Sequence, residues 1–301
     1  MAGQLRDIKR RIISVQSTQK ITRAMELIAS SRIIKAQQRV QAARPYAEEM
    51  RKLMAAVAKN AGNVDHPLLK KPKDSSKVGM IVISSDRGLA GAYNSNVLRA
   101  AERNLGDASD SQIFPVGKKA ISYFKFRGYD FEESWQGFSE RPGIDDAREV
   151  ARAASQAFSN GDIDEVRLAF TKYESALTQR PQVVRLIPAS DLDTDDEGSD
   201  EGSDEGQRAG YLFEPDPAEI LGLLLPRYIE GAVYQGMLEG AASELSARRR
   251  AMKAATDNAD DVIENLTRVY NQARQAEITT EIMEVVGGAE ALSSSKDEEA
   301  R

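Results

Sequence analysis

Two long segments with an apolar residue every third or fourth position, one at each end of the chain, constrain the fold most. The first is the stripe Leu5, Ile8, Ile12, Val15, Gln19, Thr22, Glu26, Ala29, Ile33, Ala36, Val40, Ala43, Ala47, Met50, Met54, Val57. All but three consecutive members are apolar. Such a narrow line is a coiled-coil seam rather than the broad face of a globular helix. At the polar members the apolar line moves to Ile21, Met25 and Ile28, the signature of a stutter. Pro45 predicts a local kink.

The second stripe runs Leu238, Ala241, Leu245, Arg248, Met252, Ala255, Ala259, Val262, Leu266, Val269, Ala273, Ala276, with Arg248 its single polar member. Its alanines let two helices approach closely. At 1.5 Å per residue a helix from about Arg227 to Leu292 spans roughly 90–100 Å. No compact domain of a 301-residue chain surrounds a helix of that length. The two long helices must pair with each other, with another subunit, or with both.

Between them the period changes. Val78–Ser84, Gln112–Val116 and Val166–Phe170 read as strands, with Gln182–Ile187 and Tyr211–Phe213 completing the sheet; Ala90–Arg103 and Asp145–Phe158 read as helices. Strands alternating with helices give a small α/β layer on a mostly parallel sheet. The expected organisation is an N-terminal helix over 1–59, a connector over 60–77 and an α/β domain over 78–213. A C-terminal helix over 214–292 and a disordered tail over 293–301 complete it. The fold class is therefore α/β with long helices: an antiparallel coiled coil of the terminal helices plus a central Rossmann-like domain. The acidic repeat within 191–208 cannot bury apolar surface and reads as a flexible loop.

Composition removes several function classes. There is no cysteine, which excludes disulfides and thiolate metal sites, and the single histidine, His66, cannot build a metal cluster or a catalytic triad. No cofactor or metal is expected. The opening residues MAGQLRDIKRRIISV are charged where a secretory signal needs an apolar core, and the apolar runs 78–84 and 220–225 are too short to cross a bilayer. The chain reads as cytoplasmic, reaching a membrane only through partners. Its net charge of −6 hides an asymmetry: removing the nine acids of 191–205 turns the balance to +3, while residues 1–58 carry +8.

Each chemically suggestive feature has a plainer reading. The string SSDRGLAGAYN, Ser84–Asn94, follows a strand and opens a helix, as a phosphate cradle does. It matches neither phosphate-loop pattern, so a tight turn with Asp86 capping or pairing with Arg87 is preferred. The basic N-terminal helix flanks its charges with a continuous seam and lacks interleaved aromatics, favouring a protein-facing surface over nucleic acid. The acidic repeat lacks the ligand spacing of a calcium loop and reads as a solvated insertion. Beyond Ala276 the apolar residues continue and broaden; in an antiparallel pair the longer C-terminal helix ends in an exposed tip, which implies a nonpolar sleeve from a partner. A frayed terminus is the plainer alternative. Among functions, a coiled-coil adaptor or nucleic-acid module predicts salt-dependent DNA binding. An autonomous nucleotide-using enzyme predicts turnover by the isolated chain.

The string RRIISVQSTQKITRAMELIASSRI, Arg10–Ile33, resembles the opening helix of F-type ATP synthase gamma subunits, and SSDRGLAGAYN resembles their central-domain turn, with Ala90 where many relatives carry cysteine. EPDP, Glu214–Pro217, and the segment Ser243–Leu292 carry the strongest resemblance. It implies a non-catalytic rotor shaft that couples a membrane c ring to the catalytic sites of an alpha/beta head. Its implied partners are the alpha and beta subunits, the epsilon subunit and the c-subunit ring, with delta, a and b in the full complex. Its implied location is peripheral, on the cytoplasmic side of a bacterial cell membrane. Residue by residue, the resemblance implies a beta-subunit catch at Arg274, Gln275 and Thr279, with Arg23, Met25 and Glu26 as neighbours across the pair. The polar break in the seam agrees with a gripped region. The resemblance also implies an apical bearing at Ile282, Val285, Val286, Ala289 and Leu292. Contacts to epsilon and the c ring fall to Tyr211, Phe213 and Glu214. The acidic insertion is outside the common pattern of the family, and its electrostatic braking of rotation is a hypothesis that deletion of 193–205 tests.

Overall fold

The computed structural model describes residues 2–60, 77–105, 111–188 and 217–299. Its elements in chain order are α1 (Ala2–Asn60), β1 (Val78–Ile83), α2 (Tyr93–Asn104), β2 (Ser111–Val116), α3 (Lys118–Phe126), α4 (Ile144–Asn160), β3 (Glu165–Tyr173), β4 (Gln179–Ile187) and α5 (Pro217–Glu299). The chain divides into two units, 29–250 and the pair of terminal segments 1–28 with 251–301.

The larger unit is built on a four-stranded sheet of order β2-β1-β3-β4. β1 runs parallel to β2 and β3, while β4 returns antiparallel to β3. All six β1 residues are buried, because both faces of the sheet are covered. Met80 and Val82 face a cluster with Val97, Leu98 and Ala101 of α2 and Ala120 and Phe124 of α3. Ile81 and Ile83 face the opposite cluster with Ala147, Val150 and Ala154 of α4 and Leu225, Ile229, Val233 and Met237 of α5. The period-2 alternation of one strand thus sorts the helices into two layers. In α4 the buried positions recur every third or fourth residue. Asp146 accepts from Gly143 N at 2.7 Å at its start, and Gly161, at φ 82°, ends it in the left-handed conformation only glycine adopts freely.

In this unit Ile33, Ala36 and Val40 of α1 close on Leu238, Ala242 and Leu245 of α5, with Tyr173 of β3. The close approach of α5 to the sheet needs two helical glycines. A Cβ on Gly236 would stand 3.2 Å from Ile83 Cδ1 and 3.1 Å from Leu168 Cδ2, and one on Gly240 would stand 3.1 Å from Ile83 Cγ2. These distances are tighter than ordinary carbon contact.

The elements add to the sequence reading and change one expectation, the disordered tail. α1 is assigned continuously through Pro45, and α5 through Pro226, although each proline removes one hydrogen bond of its helix. α3, too short and too mixed in character to stand out in the sequence, occupies Lys118–Phe126. α5 continues to Glu299 instead of giving way to a disordered tail at 293: glycine and proline are both absent from 289–299, so nothing local stops it. The expected strand Tyr211–Phe213, the connector within 61–76 and the acidic repeat lie outside the described residues.

Candidate functional site

The smaller unit pairs residues 4–28 of α1 with residues 251–289 of α5. Thr22 and Thr256 hydroxyls lie 2.8 Å apart, and Gln19 donates to the Asp260 carboxylate. Numbers fall on one helix as they rise on the other, so the pair is antiparallel. Ile8, Thr22, Met252, Thr256 and Ala259 are buried along the seam, and Leu5, Ile12, Val15, Ile263, Leu266, Tyr270 and Ala273 are half-buried.

The seam holds one register through its polar members, and the expected stutter does not occur. Ile21 and Ile28 are 60% and 50% exposed, whereas Thr22 is 8% exposed. Because the polar groups of Gln19 and Thr22 are satisfied across the pair, rotating α1 to bring Ile21 inward would break hydrogen bonds already made. The polar stretch is therefore an internal zipper for Gln19 and Thr22 and not a surface left open to be gripped. On α5 the expected Val262 and Val269 turn outward, and their neighbours Ile263 and Tyr270 take the seam.

Arg274, Gln275 and Thr279 are exposed, with Thr279 Oγ1 donating to Gln275 O at 2.9 Å in the helix turn. Arg23 is exposed, and Met25 and Glu26 are half-buried. The two groups are not neighbours across the pair, as the resemblance had implied. Thr22 meets Thr256, and Arg274 lies eighteen residues further along α5, about 27 Å at 1.5 Å per residue.

Every residue from Glu281 to Ala289 is exposed, including Ile282, Met283, Val285 at 72% and Val286. Ile278 is exposed too. The exposed apolar side chains Ile278, Ile282, Met283, Val285 and Val286 are interspersed with Glu281 and Glu284. Leu292 continues the same helix, and its side chain lies outside the described residues. Tyr211, Phe213 and Glu214 also lie outside them.

In the larger unit the turn after β1 engages protein groups instead of forming an open phosphate cradle. Ser84 Oγ donates to Val116 O at 3.1 Å and accepts from Ala120 N at 2.8 Å, capping α3 from a neighbouring strand. Ser85 N donates to Asn94 Oδ1 at 3.0 Å. The Asp86 carboxylate accepts from Lys118 N, Gly137 N and Ser139 N at 2.9–3.1 Å, so it caps α3 and does not pair with Arg87. Over the carboxyl end of β1, where an α/β fold of this kind receives ligands, lies α5 itself. Gly240 sits against Ile83 and Tyr93, and the remaining gap is a cavity of about 10 Å³. That is no more than the space of one water.

Beside this turn stands a charge cluster that the sequence reading missed. Arg248 pairs with Glu244 at 2.5 Å and reaches Glu140 at 3.6 Å, and Glu140 also pairs with Arg87 at 3.4 Å and with Arg32. Burial pushes the Glu244 carboxyl up to about 7 against the opposing pull of Arg248, with Glu140 and Asp86 adding to the rise. Burial likewise raises the Tyr93 hydroxyl well above its ordinary value, helped by Glu244. The available signal was Arg248 alone in an apolar stripe, four residues after Glu244. Among the described residues no cluster of acids or histidine is arranged to hold a metal, and no helix is long and apolar enough to cross a membrane.

A family model described as ATP synthase matches residues 4–292. The ATP synthase gamma chain of Acidothermus cellulolyticus is 48% identical over 300 residues, covering 97% of this chain and 98% of that protein. The gamma chain of Mycolicibacterium smegmatis is 47% identical over 314 residues, covering 98% and 100%. Among solved structures, a chain of the Euglena gracilis mitochondrial ATP synthase containing OSCP, F1 and c-ring aligns with TM-score 0.70 at 17% identity, over 98% of this chain and 97% of that one. A chain of the Tetrahymena thermophila central stalk and c-ring aligns with TM-score 0.57 at 23% identity, over 78% and 99%. At these identities the structural matches show the fold.

Proposed function

Because the chain belongs to the ATP synthase gamma-chain family, we propose that it is the central rotor shaft of a proton-translocating ATP synthase and has no catalytic activity by itself. The terminal segments stand within a ring of alpha and beta subunits, and the α/β layer rests with an epsilon subunit on the c ring. The delta, a and b subunits complete the assembly, which lies peripherally on the cytoplasmic side of a bacterial cell membrane. Rotation presents a different side of an asymmetric shaft to each beta subunit and so biases each catalytic site toward a different conformation.

The observation that carries this reading is the uncovered apolar stretch Ile278–Ala289 at the end of an antiparallel helix pair. A surface of that kind calls for an apolar bearing, assigned to Ile282, Val285, Val286, Ala289 and Leu292. The exposed Arg274, Gln275 and Thr279, just before the stretch, suit a polar catch on beta. Arg23, Met25 and Glu26, about 27 Å away along the pair, form a second contact zone. Tyr211, Phe213 and Glu214 are assigned to epsilon and the c ring.

Co-purification with separately produced alpha and beta subunits, followed by an ATPase assay, tests the proposal. One complex with turnover dependent on this chain is expected; alpha and beta that behave identically without it would refute the reading.

A further inference from the structure

The turn after β1 builds a mount that neither nucleotide binding nor the apolar tip requires. Asp86 N donates to Ser139 Oγ at 3.1 Å while the Asp86 carboxylate takes Gly137 N and Ser139 N. Arg141 N closes back on Phe138 O at 2.9 Å. These bonds fix the 137–141 loop to the carboxyl end of β1. Glu140 projects from that loop to three guanidiniums on three elements: Arg32 of α1, Arg87 of the turn and Arg248 of α5. Arg248 is itself oriented by Glu244 and by Gly88 O, at 3.3 Å.

We propose that Glu140 is a torque-bearing positioning residue that keys the α/β layer to α1 and α5, so that the layer does not turn about the two helices under load. The inference rests on the rotor reading above. Where α5 meets the sheet, Ser243 donates to Thr171 O at 3.1 Å and Glu239 accepts from Tyr173 N at 3.2 Å on the β3 side, while Gly236 and Gly240 present apolar contact to Ile83 and Leu168. Such contact resists separation but is non-directional. The charge-assisted hydrogen bonds that Arg32 and Arg87 donate to Glu140 are directional and hold an angle, and Arg248 adds an ion pair at 3.6 Å. Glu140 is gripped from both long helices, so turning the layer in either sense lengthens at least one pair. Removing its carboxylate also leaves three guanidiniums facing one another, with Glu244 already committed to Arg248.

The test uses the complete ATP synthase reconstituted in vesicles, measuring unloaded ATP hydrolysis and the steepest proton gradient that ATP-driven pumping sustains. Glu140→Gln and Glu140→Ala are expected to hydrolyse ATP like the parent but to sustain less than half its gradient, with Glu140→Asp partly restoring it. Glu165→Gln, which breaks the Glu165–Arg167 pair inside the sheet, is expected to sustain the full gradient. Arg32→Gln, at a half-exposed side chain, must show a smaller loss of the same kind, and it remains informative if Glu140 variants fail to assemble. Parental gradients in the Glu140 or Arg32 variants, or an equal loss in Glu165→Gln, would overturn the proposal while leaving the shaft reading intact. Parental pumping in complexes lacking this chain would remove the shaft reading itself.

Discussion

Replacing Glu244 by glutamine is expected to change how the stability of the chain depends on pH. The carboxyl ionises near 4.5 in the unfolded chain and is pushed up to about 7 in the folded one, chiefly by burial. Between those values the folded chain binds a proton that the unfolded chain has released. The stability associated with the protonated group is thus fully present below pH 4.5 and is lost as pH rises through 7. At 1.36 kcal/mol for each tenfold change in proton affinity, the gap corresponds to about 3 kcal/mol. Glutamine keeps the size and neutrality of the protonated acid and cannot titrate. Urea unfolding of parent and Glu244→Gln chains at pH 5 and pH 8 measures the difference. The parent is expected to lose about 2.5 kcal/mol relative to the variant across that interval. A difference independent of pH would show that Glu244 titrates alike in both states. A parent that gains stability with pH would show that the Arg248 pair outweighs burial. Either result refutes the reasoning.

Gly117→Ala is expected to destabilise the chain by about 3 kcal/mol or more in urea unfolding, since φ is 93° and a Cβ would meet the Ser84 backbone at 2.7 Å. Thr22→Val and Thr256→Val should each cost about 1 kcal/mol but nearly cancel when combined, because replacing both partners leaves no orphaned hydroxyl; strictly additive costs in a double-mutant cycle would argue against the seam bond. Arg274→Ala with Gln275→Ala, both exposed, should leave the melting temperature unchanged while lowering ATP synthesis by the assembled complex, and normal synthesis would remove the catch assignment.

The α1 seam was legible because its inward positions are the apolar ones at a fixed spacing, and Ile33, Ala36 and Val40 are buried as the stripe requires. Where Gln19 and Thr22 interrupt that spacing, periodicity misled: the sequence offers Ile21 as a substitute but does not reveal that Thr256 and Asp260 stand opposite. On α5 the pairs Val262–Ile263 and Val269–Tyr270 offer two adjacent apolar choices, and only the partner helix decides between them. The parallel pairing of β1 with β2 and β3 was legible in the alternation of strands and helices, while the antiparallel return of β4 depends on a turn at 174–178 that carries no strong signal. Glu140 was illegible for a simpler reason. Its three arginines lie 108, 53 and 108 residues away in sequence, and nothing but the folded chain assembles them.

The crevice filled by α5 has a consequence for control. A domain of this architecture that holds a removable ligand registers the concentration of that ligand, because occupancy follows supply. Here the occupant is covalently part of the chain, so its local concentration neither rises nor falls with metabolism. The crevice over β1 therefore stays occupied by the chain itself whatever the surrounding concentrations.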